Sequence, residues 1–163
     1  MAHGIIINLV TEEPTEEIFS DNEFYITEED AVDYFSESVD YANDITETRD
    51  GVKNAVEFAF GSYEDSKSKP YQVTMENETF FMNGLKGSFK YHINAHKDML
   101  EALYEWSIES GNTIDDLSVP RIYDVVELHN IKIILDGYPV PVMELPFTKL
   151  LNTYVVQVFD YHY

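Results

Sequence analysis

The chain has 163 residues, 31 of them acidic and 10 basic, for a net charge of −21, which is the length of one ordinary domain or two very small ones and a charge that argues against direct nucleic-acid binding. With 44% hydrophobic and 14% aromatic residues it is too rich in core formers for a disordered acidic tail. The lack of cysteine excludes disulfides, thiolate metal sites and a cysteine nucleophile.

The first element expected is a strand over Ile5 to Val10, rich in β-branched residues. The run is too short for a signal-peptide core and no basic residue precedes it; no stretch approaches the roughly 20 apolar residues of a membrane span. The expectation is a soluble, cytoplasmic chain. A loop, TEEPTEEIFSDNE, follows, then a short extended piece at Phe24 to Ile26. Thr27 is a good helix N-cap, and TEED fits the capping-box pattern with Asp30 at the third position. Glu28, Glu29 and Asp30 then occupy the first turn, where the helix dipole favours negative charge, and a helix is predicted over 28–43.

Val52, Ala55, Val56 and Ala59 recur at helical spacing, predicting a second helix near 47–60 with Gly61 as its stop. Tyr71 to Met75, Thr79 to Met82 and Ser88 to Ile93 carry β-formers and are separated by the turn-like ENE and NGLKG; they predict a three-stranded meander. A third helix is expected from Asn94 or Ala95 to about Glu109, with Met99, Leu100, Leu103, Trp106 and Ile108 on its apolar side. RIYDVVEL is a strand or short helix. IKIILDGYPVPVMEL reads as a hairpin around Asp136-Gly137, whose prolines confine the second arm to a sheet edge. PFTKLL suits one helical turn, and TYVVQVFDYHY ends the chain as a strand. The expected fold class is α+β: an antiparallel sheet, made of the central meander and the C-terminal hairpin and strand, with three main helices, the first strongly acidic. The chain is expected to form a single domain, 1–163, with residues 1–48 set apart as an acidic N-terminal subdomain.

The charge is unevenly spread. Residues 1–48 hold 14 carboxylates and no Lys or Arg, residues 49–100 are neutral with seven of each sign, and residues 101–163 hold ten acids and three bases. On a helix over 28–43 and its continuation, Glu29, Asp33, Glu37, Asp40 and Asp44 fall within about 80° of arc, opposite Val32, Phe35, Val39 and Ala42. Like charges four residues apart destabilise a helix by about 0.2–0.5 kcal/mol per pair. A face selected only for solubility mixes its signs, so an unmixed ridge points to recognition by a cationic surface. Tyr34 and Tyr41 flank the ridge, and Glu12, Glu13, Glu16 and Glu17 in the preceding loop extend it. Tyr is enriched at interface hot spots.

Nothing in the sequence points to a reaction. His92 and His96 have metal-ligand spacing, but no HExxH or further ligand accompanies them, and no EF-hand loop, P-loop or GxGxxG motif is present. GLKGSFK reads as a tight connection, and Asn77-Glu78-Thr79 matches a glycosylation acceptor that a cytoplasmic chain does not use. No metal or other cofactor is expected.

In charge, size and absence of cysteine the chain resembles, as a class, phage-encoded inhibitors of host defence: anti-CRISPR and anti-restriction proteins that imitate DNA. The resemblance implies an acidic, non-enzymatic inhibitor that blocks a nucleic-acid-binding protein by occupying its cationic site. The implied partner is a Cas effector (Cas9 among them), a restriction enzyme or another nuclease, met in the host cytoplasm. The alternatives are an immunity or antitoxin protein that neutralises a basic nuclease toxin, and a non-catalytic acidic interaction domain.

Overall fold

The computed structural model describes residues 3–14, 25–46, 49–63, 71–110, 131–142 and 146–162; within these, the side chains at 3, 49, 88, 89, 92, 96, 103, 104 and 106–110 lie outside the description. The elements are β1 (His3–Val10), α1 (Glu28–Tyr34), β2 (Tyr41–Asp44), α2 (Arg49–Phe60), α3 (Glu78–Ser110), β3 (Ile131–Leu135), β4 (Tyr138–Val140) and β5 (Tyr154–His162), with 3-10 turns at Met75–Asn77 and Phe147–Lys149. Two compact units are present, residues 1–84 with 130–163, and residues 85–129. The residues of the proposed N-terminal subdomain belong to the first.

The fold is α+β, and its sheet has five strands in the order β2-β5-β1-β3-β4. β1 runs antiparallel to β5 and parallel to β3; β2 and β4 are antiparallel edge strands. The sheet is therefore mixed, which corrects the expectation of an antiparallel one. β1 and β5 are the two long inner strands, and Ile6, Ile7, Leu9, Val158 and Phe159 are all fully buried. Burial on both faces explains why these strands read as nearly continuous apolar runs. The hairpin forms where expected. Asp136 (φ 49°) and Gly137 (φ 80°) both take the left-handed conformation that a two-residue type I′ turn requires. Pro139 lies in edge strand β4, where its missing N–H is harmless.

One sheet face carries Ile6, Ile134, Phe159, Tyr161 and Ala42, which cluster with Ile26, Ala31 and Val39 and with the half-buried Val32 and Phe35. Lys132 lies on the same face, buried, with its Nζ 5.3 Å from the centre of the Phe35 ring and 5.4 Å from that of Tyr161. Elsewhere in this unit α2 packs against β5 through a side that buries Ala55, Val56, Ala59 and Phe60. Phe60 stacks on Phe81 at 5.3 Å and on Tyr71 at 6.1 Å, and Phe81 meets Phe147 at 5.8 Å. Gly61 ends α2 with φ +74°, the left-handed stop expected of it.

The predicted meander is not formed. Residues 71–73 run beside the start of β5, with a single bridge from Gln72 to Tyr154. The two segments expected as its other strands are helical, within the 33-residue α3. The signal for this lies at Thr74-x-x-Asn77. The Thr74 backbone N–H and hydroxyl both donate to Asn77 Oδ1, at 2.9 and 3.1 Å, and Asn77 Nδ2 donates to Phe60 O and Ser62 Oγ at 2.8 and 3.0 Å. That latch fixes where α3 begins. Phe81 and Leu85, one turn apart, are then both buried, whereas a strand would place them on one face only in alternation with residues that are exposed here. GLKGSFK, read as a connection, is helix interior. Asn77, the acceptor-motif residue, is 1% exposed and its amide is used within the fold.

Candidate functional site

α1 begins as predicted. Thr27 Oγ1 accepts from the Asp30 N–H at 3.1 Å, and the Asp30 carboxylate accepts from the Thr27 N–H and hydroxyl at 2.9 and 2.7 Å. These hydrogen bonds, from the Thr27 backbone first and its side chain second, hold the Asp30 carboxyl below its ordinary pKa.

The helix does not continue to residue 43. It ends at Tyr34, with Phe35 as its C-cap at φ −128°, and a turn leads into β2. Two causes act together. Ser36 to Asn43 is rich in Ser, Asp, Asn, Val and Tyr, all mediocre helix formers, and β5 offers an unpaired edge that Tyr41–Asp44 completes. The apolar residues predicted to form one helix seam are buried in one cluster all the same: Val32 and Phe35 partly, Val39 and Ala42 fully. They reach it from a helix, a turn and a strand. Breaking the helix also removes the four-residue repulsions of Asp33 with Glu37 and of Asp40 with Asp44 that a continuous ridge would carry, leaving that of Glu29 with Asp33.

The ridge is accordingly corrected to a patchwork. Glu29 and Asp33 are exposed one turn apart on α1, Glu37 is exposed in the turn, and Asp40 is exposed just before β2. None of these four is paired with a cation among the described residues. Tyr34 is 40% and Tyr41 55% exposed, and Tyr41 tilts against His162 with ring centres 6.0 Å apart. Glu12 and Glu13 are exposed after β1; Glu16 and Glu17 lie outside the described residues.

Asp44 is different. It is half-buried, and its carboxylate accepts from Gln157 Nε2 at 3.0 Å, Tyr25 Oη at 3.2 Å and the Thr46 N–H at 2.7 Å. Its own N–H donates to Glu28 Oε1 at 2.9 Å. Gln157, 1% exposed, also donates to Ile26 O, and its Oε1 accepts from the Ile26 N–H and from Asn8 Nδ2. One buried amide thus ties β5, β1, the approach to α1 and the end of β2. Asp44 and Glu28 therefore hold this fold in place, and among the predicted contact residues that are described Asp44 is the one committed inward.

Among the described residues there is no group of three or more His, Asp or Glu positioned to hold a metal, and no helix is long and apolar enough to cross a membrane. The side chains of His92 and His96 lie outside the description, as do Asp115, Asp116, Glu127 and His129. No family model matches this chain, and no curated protein or solved structure does.

Proposed function

We propose that this protein is a non-catalytic inhibitor that presents the anionic surface of its first 48 residues to the cationic nucleic-acid-binding site of a host-defence protein, a Cas effector or a restriction enzyme. The observation that carries the reading is the unopposed charge. Glu29, Asp33, Glu37 and Asp40 are exposed with no cation paired to them among the described residues, in a segment of 48 residues without Lys or Arg. A surface that lines a duplex groove is rich in Lys and Arg and attracts such a face, with fast, steered association. Tyr34 and Tyr41 supply ring faces on which a guanidinium stacks. The carboxylates come from a helix, a turn and a strand lead-in fastened to one sheet, so their arrangement is held by tertiary contacts.

The test is capture from a host lysate by the immobilised chain, with and without excess duplex DNA. The expected result is a nucleic-acid-binding protein whose capture the duplex abolishes and whose DNA binding the chain inhibits. A captured secreted nuclease toxin would favour the immunity-protein reading. Capture that duplex DNA leaves unchanged would remove the mimicry mechanism.

A further inference from the structure

Against a net charge of −21, residues 79–97 hold three lysines and no carboxylate, and all of them lie in α3. At about 100° per residue, Lys86, Lys90 and Lys97 fall within about 40° of arc along about 16 Å of helix. All three are exposed. Lys97 is paired with Glu101 at 3.5 Å; Lys86 and Lys90, one turn apart, have no ion pair among the described residues. Gly87 lies about 60° round the helix from Lys90, and a Cβ built on it meets nothing within 4 Å. Glycine is the poorest helix former after proline, and no packing among the described residues accounts for this one. The face is cationic and lacks a side chain on one flank, at Gly87, which allows another surface to come close to the helix backbone there.

We infer that this face of α3 docks the acidic α1 region of a second copy of the chain, with Glu29 and Asp33 of one protomer set against Lys86 and Lys90 of the other. The spacings agree: each pair is four residues apart on a helix, a rise of about 6 Å. The sign agrees as well, because residues 1–48 offer carboxylates only. Three lysines neutralise too few phosphates to hold a nucleic acid against the charge of the whole chain, whereas matched pairs at contact act inside the screening length of about 8 Å at physiological ionic strength. The contact is heterologous, each copy offering two different patches. It uses the acidic face of the proposed function, so self-association and partner binding exclude each other, and a tight partner releases the protomer.

Sedimentation equilibrium of the full chain, taken to millimolar protein and without any partner, tests this separately from the inhibitor reading. The average mass is expected to rise with concentration. Lys86→Glu with Lys90→Glu should weaken association at least about tenfold, as should Glu29→Lys with Asp33→Lys, and mixing the two variants should restore it. Lys53→Glu with Lys149→Glu carries the same change in net charge at other exposed lysines and should associate like the wild type. Lys86→Gln with Lys90→Gln serves if the Glu variant loses helix content. A wild type that stays monomeric throughout, equal loss in the Lys53/Lys149 control, or no restoration on mixing overturns the proposal. Inhibition by the Lys86/Lys90 variant should be undiminished, since its acidic face is intact; absence of inhibition in every form would remove the functional reading and leave the association result standing.

Discussion

Gln157 Nε2 donates to Asp44 Oδ2 across 3.0 Å, joining the middle of a central strand to the far end of an edge strand. Both donor positions and both acceptor positions of the Gln157 amide are filled, by Asp44, Ile26 twice and Asn8. An amide buried to 1% exposure contributes stability only if it is satisfied in this way.

Replacing Gln157 with Leu leaves the Ile26 backbone groups and the Asn8 amide without their partner in the core. Each unsatisfied group costs about 1–3 kcal/mol, so a total loss of at least about 3 kcal/mol is expected, read as a lower urea midpoint at unchanged slope.

The carboxylates divide into two classes by mutation. Asp44→Lys sets a cation against the donors of Gln157, Tyr25 and Thr46 and should destabilise the fold by about 2–3 kcal/mol. Asp33→Lys and Asp40→Lys, at exposed and unpaired positions, should shift stability by no more than about 0.5 kcal/mol while abolishing inhibition. Paired denaturation and inhibition assays separate these effects; equal loss of stability in both classes would show that the exposed carboxylates are structural too.

The capping box gives α1 a pH response. The Asp30 carboxyl is held below its ordinary value of 3.8 by its bonds to Thr27. A depressed folded pKa contributes stability that is present above the unfolded value and lost as pH falls through the lower folded value. Asp30→Asn should therefore flatten the acid limb of the stability profile below about pH 4. Thr27→Ala should cost about 1 kcal/mol at neutral pH. An unchanged acid limb in the Asn variant would locate the response in other carboxylates.

Two glycines should respond oppositely to alanine. At Gly61, with φ +74°, a Cβ runs into the Phe80 ring, and a loss of about 1–3 kcal/mol is expected. At Gly84, inside α3, a Cβ meets nothing within 4 Å, and alanine should stabilise by about 0.5–1 kcal/mol. Thermal melts of the two variants, moving in opposite directions, are the check.

Salt distinguishes electrostatic from apolar recognition. Exposed charges are screened beyond about 8 Å at physiological ionic strength, so affinity for the cationic partner should fall steeply between low and high salt. A flat response in a binding titration would place the recognition on Tyr34, Tyr41 and other apolar contacts.

Wherever a local signal was sufficient, the sequence determined the outcome. β1 and β5 follow from their β-branched runs, the β3–β4 turn from Asp136-Gly137, the start of α1 from Thr27 and Asp30, and the end of α2 from Gly61. The burial of Val32, Phe35, Val39 and Ala42 was likewise legible, because apolar side chains are removed from water whatever backbone carries them. The tertiary structure decided what depended on a distant partner. The open edge of β5 drew residues 41–43 out of the predicted helix, and the Asn77 latch onto Phe60 and Ser62 set α3 where strands had been expected. Gln157, over a hundred residues away in the chain, turned Asp44 inward, and no periodicity records that. Strand pairing and buried hydrogen bonds join residues far apart in sequence, so local propensity reports only the preference they override.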